Sequence, residues 1–399
     1  MILRSGMKNT LLYSCIVLLF FTAGCAKVEY AKIDDPAYLR VFNNLNYKIG
    51  IDNKDEQLPF LTMLIDPEMD QNGVPVSAKI KGDFLDKRDP YAPPYPSHIG
   101  SGTSINNPEY PGRENVLVGP VLNGFDLSSW AQIPSGKHRI VFMFRPKNDI
   151  PFFNLDPKLK KNVLIDTTIV LDHKEVYTLH VLQKDYDTKR NGIYLRKENF
   201  HKLPLSDSSL YVNFYNMSAK GYWQADNDIK GGNIYGKGAI GNGIKDEMNI
   251  FLTLYKNANV NTLKITGYSG KYMGRLVRNS DVLEVAPYYN FPLFADATAG
   301  GIHTEMWQRF DFLAPGMDIT NIPYGPTDME TDGNWASINC LTPFPNYRQW
   351  NEIVLPNMIV NIHSGKYNPR SFATVNTIEI VNGNVYLTTI QRKYAPPVY

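Results

Sequence analysis

Four short segments occur twice along this chain, in the same order. "AYLRVFNNLN" (37–46) is echoed by "LYVNFYNMSA" (210–219), which sets Tyr38 against Tyr211, Phe42 against Tyr215 and Asn43 against Asn216. "FLTML" (60–64) matches "FLTLY" (251–255), and "AKIKG" (78–82) matches "LKITG" (263–267). "TIVLDHKEVYTLHVLQK" (168–184) matches "TIEIVNGNVYLTTIQRK" (377–393) without a gap. One match could arise by chance; four in one order argue for duplication. Each segment is rich in β-branched and aromatic residues and has strand length, so the repeated unit is built of strands. The last pair carries a turn at Asp172-His173-Lys174 and Asn382-Gly383-Asn384, and reads as a hairpin in both copies.

The repeat divides the chain into two related β-modules, 38–200 and 205–399, with "KENFHKLPLSDSS" (197–209) as the joint. The 27 prolines, 29 glycines and 25 tyrosines, with few stretches of helical period, agree with an all-β chain of strands and turns. The formal net charge of +2, without any basic stripe, excludes nucleic-acid binding by phosphate neutralisation.

The opening strands "YLRVFNN" and "YVNFYNMS" and the closing segments "VYTLHVLQ" and "VYLTTIQ" resemble a family of immunoglobulin-like lipoprotein modules of unknown function from Bacteroidota. The resemblance implies two immunoglobulin-like β-sandwich modules in tandem with long loop insertions. It also implies an anchor in the outer membrane, and it brings no catalytic residues.

The N-terminus agrees with that anchor. Arg4 and Lys8 precede an apolar stretch from Leu11 to Ala23, shorter than the roughly 20 residues that a spanning helix needs. Thr22-Ala23-Gly24-Cys25 resembles a bacterial lipobox, although Leu is commoner where Thr22 stands. Residues 1–24 then form a lipoprotein signal peptide, starting at Met1 or Met7. Cys25 carries the acyl chains, and 25–37 is a tether. An ordinary signal cut after Gly24 is the alternative. Lys27 and Glu29 loosely resemble the export tag of surface lipoproteins, which favours the cell surface over the periplasmic face. Cys15 lies within the signal, so Cys340 is left as a lone, inert thiol.

Between the matched segments lie long insertions, the usual place for binding sites on a rigid sheet scaffold. Trp130 and Trp350 both stand in a W-x-x-Ile frame, and a feature used twice reads as core. Trp223, Trp307, Trp335, Tyr91, Tyr95, Tyr110, Tyr288 and Tyr289 have no such counterpart and are the ligand candidates. Packing of their own loops is the competing reading. In "DMETDG" (328–333), Asp328, Glu330 and Asp332 alternate before a glycine, as in the start of a calcium loop. The twelfth position is Asn339, not the bidentate Glu of an EF-hand, so a shorter calcium loop competes with a solvated turn. No other cofactor is expected. "DPEMDQNG" (66–73) reads as a plain turn, and "GKGAIG" (236–241) as a loop because no helix period follows it. No zinc spacing or nucleophile elbow occurs. A pair of hydrolase carboxylates leaves no local signature; Glu305 and Asp311 are candidates without further support.

The expectation is therefore a non-catalytic, lipid-anchored envelope protein whose aromatic-rich loops meet an extracellular ligand, a glycan first. A structural or adhesion subunit that binds another envelope protein is the alternative, and a glycan hydrolase comes third.

Overall fold

The structure, a computed structural model, describes residues 32–45, 54–88, 109–206, 209–225, 246–255, 264–282, 284–292, 307–313, 315–316, 336–340, 356–360, 374–382 and 384–391. In the first half the strands are β1 (Pro36–Asn43), β2 (Leu61–Met69), β3 (Pro75–Leu85), β4 (Glu109–Tyr110), β5 (Val121–Leu122), β6 (Phe125–Asp126), β7 (Ala131–Pro134), β8 (Gly136–Phe144), β9 (Val163–Leu171), β10 (Val176–Gln183) and β11 (Asn191–Glu198). In the second they are β12 (Ser209–Asn216), β13 (Glu247–Tyr255), β14 (Lys271–Val277), β15 (Tyr289–Pro292), β16 (Trp307–Leu313), β17 (Ala336–Cys340), β18 (Pro356–Val360), β19 (Thr374–Val381) and β20 (Asn384–Gln391). The protein is all-β, and each half is a sandwich of two sheets.

The first sandwich pairs an outer sheet, β3-β2-β8-β9, with an inner sheet, β11-β10-β1-β4, in which β7 also pairs with β1. The second pairs β14-β13-β16-β18-β17 with β15-β12-β19-β20. The inner sheets share an unusual feature: an otherwise antiparallel arrangement contains one parallel pair, β1 with β10 and β12 with β19. Register matches too. Tyr38 lies opposite Gln132 of β7, and its sequence partner Tyr211 lies opposite Asn290 of β15. Asp34–Tyr399, which holds both sandwiches, is one unit by contact.

The closing match is out of step by one strand. β19 and β20 form the expected hairpin, Thr374 opposite Gln391 through Val381 opposite Asn384. In the first half, however, β9 pairs with β8 in the outer sheet while β10 pairs with β1 in the inner one, so the turn at 172–175 crosses between sheets. By pairing, 176–198 corresponds to 374–391. Burial explains the difference. β10 is buried on both faces along nearly its whole length, whereas β9 exposes Val163, Asp166, Thr168 and Val170 and belongs at an edge. The "DPEMDQNG" turn is also shorter than expected. Asp66–Met69 continue β2, and only Asp70–Gly73 turn, where the Asp70 carboxylate accepts from the Asn72 and Val74 amides at 2.8 Å each.

Alternation along the inner strands sends side chains to two different interiors. On one face, Leu39, Val41, Leu179 and Val181 fill the first sandwich with Met63 and Phe142, while Val212, Phe214, Ile378 and Ile380 fill the second with Leu252 and Phe310. On the other face, Tyr38 and Val176 join Tyr211, Val375 and Ile390 in one cluster, and Leu182 and Tyr194 join Tyr215, Val381 and Tyr386 in another. The two inner sheets thus pack on each other, and the faces a lone sandwich leaves to water are interior. The joint takes part: Phe200 is fully buried in the first of these clusters, edge-on to Phe125 at 5.2 Å.

Candidate functional site

Between the two apolar clusters the facing sheets carry a band of charge. β10 places Thr178 and His180 there, β11 Arg196 and Glu198, β1 Arg40, and β19 Glu379. Arg88, just after β3, reaches in from the side. All of these are buried, as is Glu109 of β4. Glu379 holds the centre and takes two arginines and one histidine from the other half as partners. Arg88 Nη1 lies 2.5 Å from its Oε2; Arg196 Nη2 lies 2.8 Å and His180 Nε2 3.3 Å from its Oε1. Arg196 Nη2 is also 2.8 Å from Glu198 Oε1, which accepts from Thr178 Oγ1 at 2.8 Å. Arg88 donates on to Thr388 Oγ1 at 2.9 Å. The guanidinium groups also lie over rings across the junction: Arg196 over Tyr215 at 4.3 Å and Arg88 over Tyr386 at 4.6 Å.

This arrangement sets the protonation states. Burial pushes the Glu379 carboxyl up, but His180, Arg88 and Arg196 together outweigh it and hold the group well below the ordinary carboxylate range. Burial pulls the Arg196 guanidinium down, and the carboxylates of Glu198 and Glu379 more than reverse that. For His180 burial prevails over the pull of Glu379 and lowers it to about 4, so the ring is neutral at pH 7. Its Nδ1 lies 2.8 Å from Asn44 Oδ1.

Four of the ligand candidates, Tyr110, Trp223, Tyr288 and Tyr289, pack against the clusters, Tyr110 fully and the other three while partly exposed. Tyr110 is a core residue, not a loop aromatic: it is 1% exposed, and its ring covers Gly82, where a Cβ would meet it at 2.8 Å. Tyr288 does have a counterpart. It immediately precedes β15 as Trp130 precedes β7, strands that pair in the same register with β12 and β1, so Tyr288 holds in the second sandwich the position that Trp130 holds in the first. Both rings join the same cluster between the inner sheets. Trp130 is fully buried, donates from Nε1 to the Tyr177 carbonyl at 3.1 Å and carries Arg40 over its ring at 3.9 Å.

Tyr289 packs against Phe214 at 5.9 Å, and its hydroxyl lies 2.2 Å from where a Cβ on Gly274 would sit. Trp223 is half-buried against the core of the second sandwich, edge-on to Tyr222 at 4.9 Å. Trp307 lies on β16 opposite Tyr255. Tyr91, Tyr95, Trp335, Trp350, Cys25, Glu305, the acidic run Asp328, Glu330 and Asp332, and the "GKGAIG" loop lie outside the described residues. Asp311 is buried, and Arg309 Nε donates to its Oδ1 at 2.8 Å. Among the described residues no group of three or more His, Cys, Asp or Glu is placed to hold a metal ion, and no helix is long and apolar enough to cross a membrane.

Sequence reasoning missed the charged band because isolated charges on alternating strands read as solvent-facing. A signal was present. The same face of β19 that carries Glu379 begins with Val375 and ends with Val381, and that of β10 runs Val176, Thr178, His180, Leu182. Apolar residues at both ends of a supposedly wet face mark it as covered.

Comparison with known proteins adds little to this geometry. The chain matches no protein-family model and no curated protein. One solved structure that aligns with it is described as a "putative cell adhesion protein" from Bacteroides ovatus. It is 9% identical, with 91% of this chain and 99% of that one covered, at a TM-score of 0.15. A likeness of that size carries no argument about fold or function.

Proposed function

We propose that the chain is a non-catalytic, lipid-anchored protein of the cell envelope, a structural or adhesion component that binds another protein. The observation that carries this reading is the fate of the aromatic side chains. Tyr110, Trp223, Tyr288 and Tyr289, the candidates whose surroundings are described, pack on their own sandwich cores or between them. A glycan site needs aromatic faces open to a sugar ring. Asp311 is likewise tied to Arg309, which supports a role without catalysis. In this reading Cys25 carries the acyl chains that hold the protein at the outer membrane, with its sandwiches outside the cytosol.

The test is a polysaccharide panel titrated with the chain lacking residues 1–25. The expected result is no saturable binding. Saturable binding that Trp307→Ala or Trp335→Ala abolishes would replace this reading with the glycan one. For the anchor, Cys25→Ala is expected to release the protein from the membrane fraction, and retention of that variant contradicts the acylation.

A further inference from the structure

The band between the inner sheets is balanced in charge only while one ring stays neutral. Arg40, Arg88 and Arg196 stand against Glu109, Glu198 and Glu379, each buried. Three cations therefore meet three anions, and His180, fully buried among them, completes the set. The groups around its ring come from every element that meets there. Phe42 of β1 stacks on it at 5.7 Å, and Asn44, just beyond that strand, bonds its Nδ1. Tyr194 of β11 lies 6.2 Å away, ring to ring. Glu379 of β19 faces its Nε2, with Arg88 and Arg196 both bound to that carboxylate. Glu198 and Arg40 follow through Thr178, and Tyr215 lies beneath the Arg196 guanidinium.

A proton added at Nε2 gains one carboxylate, but that carboxylate already serves two guanidinium groups. The resulting imidazolium also sits where no solvent reaches. Water is what the ion lacks, and parting the inner sheets away from the Asp185–Lys220 backbone bridge admits water while every named sheet stays whole, because none mixes strands of the two halves.

We propose that the junction between the sandwiches is an acid-released latch, in which protonation of His180 favours the state with the inner sheets apart. The inference is independent of what the protein binds. Its direction follows from linkage. Because burial lowers His180 from 6.5 to about 4, its contribution to closure is complete above pH 6.5 and is lost as pH falls toward about 4. Glu379, held below the carboxylate range, gives way only further into acid.

The experiment is small-angle scattering with far-UV circular dichroism on the whole chain from pH 7 to pH 4, for the native sequence and His180→Gln. The expected result is a rise in radius of gyration with the strand signal intact, absent in His180→Gln. No rise, an equal rise in the variant, or a rise accompanied by loss of the strand signal overturns the latch. Should His180→Gln fail to fold, the ring of His180 is titrated by NMR in the native chain. A midpoint displaced from 6.5 to about 4 and coincident with the scattering change supports the proposal, and a midpoint at or above 6.5 overturns it.

Discussion

Two carboxylates of this protein, Asp83 and Glu379, are both fully buried against arginine, and they do different things. Asp83 draws every partner from its own sandwich. Thr62 Oγ1 donates to it at 2.7 Å, the Phe152 amide at 2.8 Å, the Phe84 amide at 2.9 Å, and Arg145 closes the set. Arg145 in turn donates to the carbonyl of Ile150 and the side chain of Asn148, so the pair pins the loop after β8 onto β3. Glu379 instead takes its ionic partners from the opposite sandwich. The same chemistry is used once to order a loop and once to join two sandwiches. What decides between them is where the partner strands sit, not the kind of pair.

That contrast breaks most visibly under substitution. Glu379→Ala leaves Arg88 and Arg196 underpaired in a dry junction and is expected to cost about 5 kcal/mol, the upper end for one half of a buried ion pair. Chemical denaturation should then show the two sandwiches unfolding in separate steps. Asp83→Asn keeps the shape but loses the charge, with an expected cost of about 4 kcal/mol confined to the first sandwich. Hydrogen exchange should show the loss in β3, β8 and the turn at 152–154, with β12 and β19 unchanged. If both variants disturb the same strands, the comparison fails.

Acid is the next largest effect. The shift of His180 from 6.5 to about 4 corresponds to about 3 kcal/mol of stability that is present above pH 6.5 and gone near pH 4. Stability measured against pH should fall across that window, and His180→Gln should flatten the fall. Smallest is the exposed pair Arg139–Asp166, 2.6 Å apart but with both side chains more than two-fifths exposed. Arg139→Ala should change stability by less than about 1 kcal/mol, because solvent screens the pair. A larger loss would mean that bonding geometry rather than burial sets the value of ion pairs in this protein.

The sequence made much of this legible. The first repeat match is right to the residue: Tyr38 and Tyr211 both open parallel pairing, to β10 and to β19. The second match holds as well, since Leu61 pairs with Phe144 and Leu252 with Phe310. The closing match slipped because Val-Tyr stands at or next to the start of a strand in both halves, Val176-Tyr177 in β10 and Val385-Tyr386 in β20, and local similarity cannot say which strand neighbours which. Trp130 was read correctly as core, but its partner was missed because Tyr288 shares its position and not its identity. Glu379 was invisible for a deeper reason. In "TIEIV" a charge between two isoleucines fits a half-wet strand, and only a second sandwich, distant in sequence, makes that face an interior.

The measurement that bears most directly on the face-to-face junction is a double-mutant cycle between Arg88→Met and Glu379→Gln, read by denaturation at pH 7. Residues that lean on each other across the two inner sheets should show a coupling of about 2 kcal/mol or more. Losses that add to within about 0.5 kcal/mol would mean the two side chains do not meet, and the sandwiches are not joined in the way described.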